Sequence, residues 1–249
     1  MIKIKKRMDK NSNEQTFSDH LQELRSRIIK AGLFILVCFI ALIYFSNEIY
    51  EFASKPLQAF LPNTSMIATE VASPFLTPIK LTFFVSLLIS MPYILFQIWS
   101  FISPGMYKDE KRLAYGLLIS SIILFYSGIL FAYYLVFPLV FGFFTSAAPL
   151  GIAVMTDIQR YLDFVLTMFF AFSVSFEIPI LIFLLTWAGI TSPDALAQKR
   201  PYVVIGCFVL GMLLTPPDVI SQTLLAIPVW LLFELGLLFS RVFGKKESN

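Results

Sequence analysis

The sequence predicts an all-α integral membrane protein with six transmembrane helices, both termini in the cytoplasm, and short fifth and sixth spans. Hydrophobic residues make up 57% of the 249 residues and charged residues only 14%, whereas soluble domains contain roughly 25% charged residues. A soluble fold of this size cannot bury that much apolar surface and keep its exterior solvated. The composition therefore argues against a soluble enzyme, a nucleic-acid-binding protein and a disordered linker.

The first four spans follow from long apolar runs, because a helix needs about 20 apolar residues to cross roughly 30 Å of hydrocarbon. We predict these spans over residues 28–45, 81–102, 113–137 and 164–188. The stretch 113–156 contains no charged residue, and as one helix it would be about 66 Å long. Pro138 and the turn at residues 149–151 therefore predict that the third span ends near Phe137 and that an apolar external loop follows.

The last two spans are predicted to be short. The fifth lies between Pro201 and Thr215, where about 13 residues give a helix of roughly 20 Å. The sixth is predicted over residues 219–239, with Pro228 inside it. Short helices beside ~30 Å of lipid should thin the bilayer locally or be shielded by partner proteins.

Basic residues are distributed unevenly between the two sides of the predicted membrane domain. An even number of spans puts both termini on one side, and that side has 16 of the 19 lysine and arginine residues. By the positive-inside rule, we expect both termini in the cytoplasm. The predicted organisation is a cytoplasmic segment with an amphipathic helix (1–27), one six-span membrane domain (28–240) and a cytoplasmic tail (241–249).

Several classes of chemistry lack the residues that they need. His20 is the single histidine, and Cys38 and Cys207 lie in apolar runs without a CxxC partner, which disfavours a zinc or haem site. The P-loop, GxSxG and HExxH motifs do not occur. We therefore expect no metal, no other cofactor, no ATP-driven pumping and no enzymatic activity.

Glu177 is the one acidic residue in the middle of a predicted span. A charge at the bilayer centre costs at least ~2.5 kcal/mol, so this side chain should face protein or water, or be protonated. It could serve as a proton site or contact a partner helix; alternatively, it is a protonated, hydrogen-bonded group that supports a kink at Pro179. The proton-site interpretation allows a proton-coupled small-solute transporter, although the sequence has no evident internal repeat.

Acidic residues also occur on the basic, predicted cytoplasmic side: Glu23 and the pair Asp109-Glu110. Glu23 and Arg27 have the i,i+4 spacing of an ion pair on a helix surface, which is worth tenths of a kcal/mol. The alternative is that these acids receive a cationic ligand, since guanidinium groups bind carboxylates in a bidentate manner. The residues alone leave both interpretations open.

A series of segments, in order along nearly the whole chain, resembles the TatC family, the multispanning subunit of the twin-arginine protein translocase. The resemblance extends from about residue 18 to residue 241, and departures such as Asp109 beside Glu110 do not disturb the motifs. The segments are His20-Leu-Gln-Glu-Leu-Arg25, Ala72-Ser-Pro-Phe75, Thr77-Pro-Ile-Lys80, Gln97-Ile-Trp-Ser-Phe101, Tyr107-Lys-Asp-Glu110, Phe176-Glu-Ile-Pro179, Lys199-Arg-Pro-Tyr202 and Leu214-Thr-Pro-Pro-Asp-Val-Ile-Ser-Gln222.

The resemblance implies a function in the bacterial inner membrane. It implies a six-span receptor, surrounded by membrane lipid and present in several copies, that binds signal peptides bearing paired arginines. With TatA and TatB, the receptor would export folded proteins at the expense of the protonmotive force.

The resemblance also implies roles for particular residues. Glu23 and Glu110 would receive the two arginines, with Phe101 nearby. A second group would dock TatA or TatB helices, and Glu177 would contact polar groups of those helices inside the membrane. This second group consists of Met212, Thr215 and Gln222.

Overall fold

The computed structural model describes residues 2–58, 66–102, 111–146, 156–214 and 219–243. These residues form ten α-helices, and their only β pairing is an isolated bridge between Ile67 and Asp157. The helices are α1 (Ile2–Leu42), α2 (Ser46–Gln58), α3 (Ser73–Ile102), α4 (Lys111–Phe131), α5 (Phe137–Ser146), α6 (Ile158–Ser175), α7 (Ile178–Trp187), α8 (Pro193–Gln198), α9 (Arg200–Leu214) and α10 (Val219–Phe243).

Five helical stretches of the described residues are long and apolar enough to cross a membrane. With the shorter helix α9, they account for the six predicted spans. The fifth span is short, as expected, because α9 has 15 residues and a length of about 22 Å. The five long stretches are Leu21–Lys55, Ser73–Phe101, Ala114–Ser146, Ile158–Trp187 and Val219–Val242.

The prediction of a short sixth span is wrong, because α10 has 25 residues and is about 37 Å long. The helix contains Pro228, but it continues beyond the predicted end at residue 239. Its extension reaches Arg241, which pairs with Asp194 at 2.9 Å. The last turn of α10 is thus tied to α8.

The third span also runs further than predicted. A π-helical turn over Ala132–Val136 joins α4 to α5, and the helix continues to Ser146 instead of ending near Phe137. Pro138 lacks a backbone N–H, but it lies in the first turn of α5, where proline is tolerated. The wider π-helical turn interrupts the regular hydrogen-bond ladder immediately before it, so the proline does not end the span.

The fourth span is interrupted in the middle, between α6 and α7. The interruption falls at Phe176 and Glu177, and Pro179 occupies the first turn of α7. Glu177 is the residue that precedes α7, yet its side chain makes no capping hydrogen bond to that helix. Its carboxyl group is therefore available to other parts of the bundle.

The chain divides into two compact units, of which the first comprises Met1–Tyr44 and Phe83–Leu118. Helix α1 packs against α3 within this unit through aromatic rings. The ring centroids of Phe34 and Tyr93 are 4.7 Å apart, and those of Phe39 and Phe83 are 5.8 Å apart. Such pairs add to the burial of apolar surface, and they fix the position of α1 beside α3.

The second unit comprises Phe45–Thr82 and Ile119–Asn249. Its third and fourth spans approach so closely at Gly128 that a Cβ there would lie 2.7 Å from the carbonyl oxygen of Phe172. Its fourth and sixth spans meet at Gly236, where a Cβ would lie 2.9 Å from the Cα of Pro179. Glycine at both positions allows backbones to approach closely, as small residues do at many helix contacts in membranes.

Asp157 ties the segment around residues 66–69 to the start of α6 in the second unit. One carboxylate oxygen accepts hydrogen bonds from the hydroxyl and the backbone N–H of Thr69, at 2.7 and 2.9 Å. The other accepts from the backbone N–H groups of Gln159 and Arg160 and so caps the helix. The hydrogen bond from the Thr69 hydroxyl, followed by those from the backbone N–H groups, lowers the pKa of Asp157 well below its usual range.

Candidate functional site

Glu23 lies in the first unit, where its carboxylate is bound by Arg27 of the same helix. Nε and Nη2 of Arg27 donate to Oε1 of Glu23 at 3.0 and 2.6 Å. The i,i+4 ion pair that the spacing predicts is therefore confirmed. Both side chains are partly exposed, at 21% for Arg27 and 35% for Glu23, so solvent can reach the pair.

Arg27 also binds two groups near the end of α3. Its Nη1 donates to Oε1 of Gln97 at 3.2 Å, and its Nη2 donates to the carbonyl oxygen of Ser100 at 3.0 Å. Ser100 is two residues before the end of α3, where backbone carbonyls have no partner within the helix and favour a cation. Arg27 thus connects Glu23 to the end of α3.

Phe101 follows Ser100 directly and lies in the last turn of α3. The contacts of Arg27 therefore bring Glu23 close to the backbone beside Phe101, and these two predicted site residues belong to one region. Glu110, the other predicted acid of the site, lies outside the described residues. The structure thus supports a grouping of Glu23 with Phe101.

The neighbouring face of α1 is basic. Arg25 and Lys30 line a cavity of about 460 Å³ together with Gln22, Ser26 and Ile29. Among the described residues, neither of these two cations forms an ion pair. Glu23 is therefore a carboxylate bound by Arg27 on a helix that has two further cations, Arg25 and Lys30, on a neighbouring face.

Glu177 lies in the second unit and accepts a hydrogen bond from Ser121 of α4. The distance from Oγ of Ser121 to Oε2 of Glu177 is 2.5 Å, and Ser121 is 2% exposed. The other oxygen, Oε1, is buried and has no hydrogen-bond partner in the described part of the chain. Burial of a polar atom without a partner is costly, so this oxygen is suited to a donor from another helix.

Two of the three predicted partner-docking residues lie on α9 and α10: Met212 and Gln222. Met212 is 55% exposed, and it follows Gly211, where the two helices touch. A Cβ at Gly211 would lie 3.3 Å from the carbonyl oxygen of Gln222. Gln222 thus lies at this helix contact and Met212 is one residue from it in the sequence, whereas Thr215 lies outside the described residues.

Two contributions to these sites were missed by reasoning from the sequence. Gln97 lies in a segment that resembles the family, but its contact with Arg27, 70 residues away, has no periodic signal. Ser121 lies in an apolar run, 56 residues from Glu177, and nothing in the sequence marks it. In the part of the chain that the structure describes, no three His, Cys, Asp or Glu residues are grouped so as to hold a metal ion.

Comparisons with known proteins agree on one family. The family model for the Sec-independent protein translocase protein (TatC) matches residues 19–228 of the chain. The TatC protein of Haemophilus influenzae is 55% identical over 243 residues, which cover 97% of this chain and 95% of the relative. The TatC protein of Escherichia coli K12 is 57% identical over 236 residues, which cover 94% of this chain and 92% of the relative.

The fold is also similar to that of a solved structure. A crystal structure of the twin-arginine translocase receptor TatC matches with a TM-score of 0.82 and 35% sequence identity. The match covers 90% of this chain and 98% of the crystallised chain. The sequence comparisons and the fold comparison therefore indicate the same family, and each match covers nearly the whole length of this chain and of its relative.

Proposed function

This chain belongs to the TatC family, and we propose that it is the subunit that binds Arg-Arg signal peptides. Members of this family are multi-pass membrane subunits of the Sec-independent protein translocase, and the chain is therefore not an enzyme. Binding takes place at the cytoplasmic face of the inner membrane, with both termini of the chain on that side. The proposal favours protein export over proton-coupled transport of a small solute through Glu177, because every comparison leads to protein translocases.

The observation that carries the proposal is the position of Glu23. Its carboxylate is bound by Arg27, which also binds the end of α3 next to Phe101. This end of α3 is on the predicted side of the membrane that has most of the lysine and arginine residues. A guanidinium group binds a carboxylate strongly because both partners are charged, and Arg27 binds Glu23 in this way through two hydrogen bonds to Oε1. Glu23 and Glu110 receive the paired arginines, and Phe101 provides an apolar contact beside them.

The same proposal assigns the helix contact around Gly211 to the partner subunits TatA and TatB. Met212, Thr215 and Gln222 dock the partner helices. The polar side chains of Thr215 and Gln222 can form hydrogen bonds between helices inside the membrane, and the exposed Met212 offers an apolar contact. The unpartnered oxygen of Glu177 accepts a further hydrogen bond from a polar group of a partner helix. Several copies of the chain assemble with TatA and TatB in this complex.

The short fifth span supports a mechanism for the passage of folded proteins. A helix of 15 residues is too short for ~30 Å of hydrocarbon, so the lipid beside α9 thins or is replaced by a partner helix. TatA gathers at this place once the signal peptide has bound, and the cargo crosses the thinned region at the expense of the protonmotive force.

Export of a folded reporter tests the proposed binding site. In cells that have this chain as their only TatC, Glu23→Lys and Glu110→Lys should each abolish export of a reporter with an Arg-Arg signal peptide. Repulsion between the new lysine and the arginines is the physical reason. The amount of the variant protein in the membrane should not change, which an immunoblot checks.

Glu48→Lys is the matched control, because Glu48 is an exposed acid in the first turn of α2, on the predicted opposite side of the membrane. Export should continue at its normal rate in this variant. Normal export in both Glu23→Lys and Glu110→Lys would contradict the assignment of the site.

A further inference from the structure

Arg27 has two different kinds of hydrogen-bond acceptor, which allows it to release Glu23 without losing all of its partners. One kind is the carboxylate of Glu23, which accepts from Nε and Nη2. The other consists of neutral oxygens on α3, the side-chain oxygen of Gln97 and the carbonyl oxygen of Ser100. Gln97 is only 8% exposed, so its amide stays in place whether or not Glu23 is bound.

We propose that Arg27 is an internal competitor for the signal-peptide arginine: it occupies Glu23 in the free protein, and when the peptide binds it releases Glu23 and keeps its hydrogen bonds to Gln97 and Ser100. This inference rests on the proposed function, because it assumes that Glu23 receives an arginine of the ligand. The chemistry of the two ligands is the same, since a guanidinium of the chain is exchanged for a guanidinium of the peptide.

The exchange leaves the number of ion pairs at Glu23 unchanged. A carboxylate that is already neutralised attracts an incoming cation less strongly than a bare one, so the peptide must gain its affinity from further contacts. Arg27 therefore raises the Kd of the peptide. It does so by the same factor for any ligand that must displace it, because the free energy of breaking the internal pair does not depend on the ligand.

Peptide affinities measured with the full chain in lipid nanodiscs test the exchange. The probes are fluorescent synthetic peptides that contain Arg-Arg or Lys-Lys before an apolar stretch, and the readout is fluorescence anisotropy. Arg27→Gln should tighten the binding of both peptides by about 2- to 5-fold, which corresponds to roughly 0.4–1 kcal/mol. This is the range expected for the loss of one competing i,i+4 ion pair, and the ratio of the two affinities should stay the same.

Lys30→Gln is the matched control for charge alone. It removes one positive charge from α1 within a turn of Arg27, and Lys30 forms no ion pair among the described residues. A general electrostatic effect would tighten binding equally in the two variants, and this outcome would overturn the proposal. We expect less than about a 2-fold change for Lys30→Gln, because exposed charges are screened by salt.

Gln97→Leu gives a change of the opposite sign. It removes one of the two neutral acceptors that Arg27 keeps after it leaves Glu23, so Arg27 leaves Glu23 less readily and peptide binding should weaken by about 2- to 5-fold. A loss of folding would weaken binding in both variants, so it cannot explain tighter binding in Arg27→Gln beside weaker binding in Gln97→Leu.

Glu23→Gln separates failure of the exchange from failure of the proposed function. If Glu23→Gln weakens binding but Arg27→Gln leaves it unchanged or weakens it, the exchange is refuted and the proposed function stands. If Glu23→Gln has no effect on peptide binding, Glu23 does not bind a peptide arginine. Both its proposed place in the signal-peptide site and the exchange with Arg27 are then refuted. Tighter binding in Arg27→Gln that disappears in the double variant with Glu23→Gln is the result that we expect.

Discussion

Replacement of Gly128 by alanine should separate the third and fourth spans. The new Cβ would lie 2.7 Å from the carbonyl oxygen of Phe172 and 2.9 Å from the Cα of Ser173. Both are backbone atoms, so no side-chain rotation relieves the contact. Because carbon atoms pack best at about 3.5–4.0 Å, the two helices must move apart by roughly 0.5–1 Å.

The expected cost of Gly128→Ala follows from two opposing effects. Overpacking in a close-packed interior costs about 1–3 kcal/mol, whereas exchange of glycine for alanine inside a helix returns up to about 1 kcal/mol. These ranges allow a net loss of about 0–3 kcal/mol in the free energy of unfolding, and because the contacts are with backbone atoms we expect a loss of about 1–2 kcal/mol. Tm should fall by about 2–8 °C, since each kcal/mol shifts it by roughly 2–4 °C in a protein of this size.

The assay is thermal unfolding of the purified protein in detergent, with Gly116→Ala as the matched control. Gly116 is also in α4, but a Cβ there would meet nothing within 4 Å. Its replacement should leave Tm unchanged or raise it. If Gly128→Ala were as stable as Gly116→Ala, the close approach of the two spans would be refuted.

Two further predictions concern hydrogen bonds. Stability should fall as the pH drops below about 4, the pKa of an unfolded aspartate, because the native pKa of Asp157 is lower and its stabilising contribution is lost on protonation. When thermal unfolding is measured from pH 6 to pH 3, Asp157→Asn should lose less stability than the unchanged protein, and an identical loss would contradict this prediction. Ser121→Ala should lower the free energy of unfolding by about 0.6–1.7 kcal/mol, as expected for a hydrogen bond between membrane helices, because Glu177 loses its donor. Ser127 is the control, because its hydroxyl donates to Ile123 of its own helix: Ser127→Ala should leave the thermal unfolding midpoint unchanged, and equal effects of the two variants would refute the role of Ser121.

Most of the helical architecture could be predicted from the sequence, because the length of an apolar run and the positions of prolines act locally. The interruption of the fourth span at Glu177, before Pro179, and the short helix α9 are of this kind. The third span shows where local rules fail. Pro138 normally ends a helix, but the π-helical turn before it lets the helix continue to Ser146.

The candidate site could be predicted only in part, since its contacts join distant segments. The spacing of Glu23 and Arg27 predicts their ion pair, because both residues are on one helix. The contacts of Arg27 with Gln97 and Ser100 depend on how α1 packs against α3, and no periodicity encodes this packing. The proposed competing role of Arg27 therefore rests on contacts that the sequence does not encode.

Photocross-linking from position 101 tests the binding of signal peptides most directly. A photoreactive phenylalanine analogue in place of Phe101 lies beside the Arg27–Ser100 contact. The control has the same analogue in place of Phe75, which is 71% exposed near the other end of α3. An Arg-Arg precursor protein should cross-link to position 101 and not to position 75, and Glu23→Lys should abolish the cross-link. Equal cross-linking from both positions, or a cross-link at position 101 that survives Glu23→Lys, would contradict the proposed receptor site.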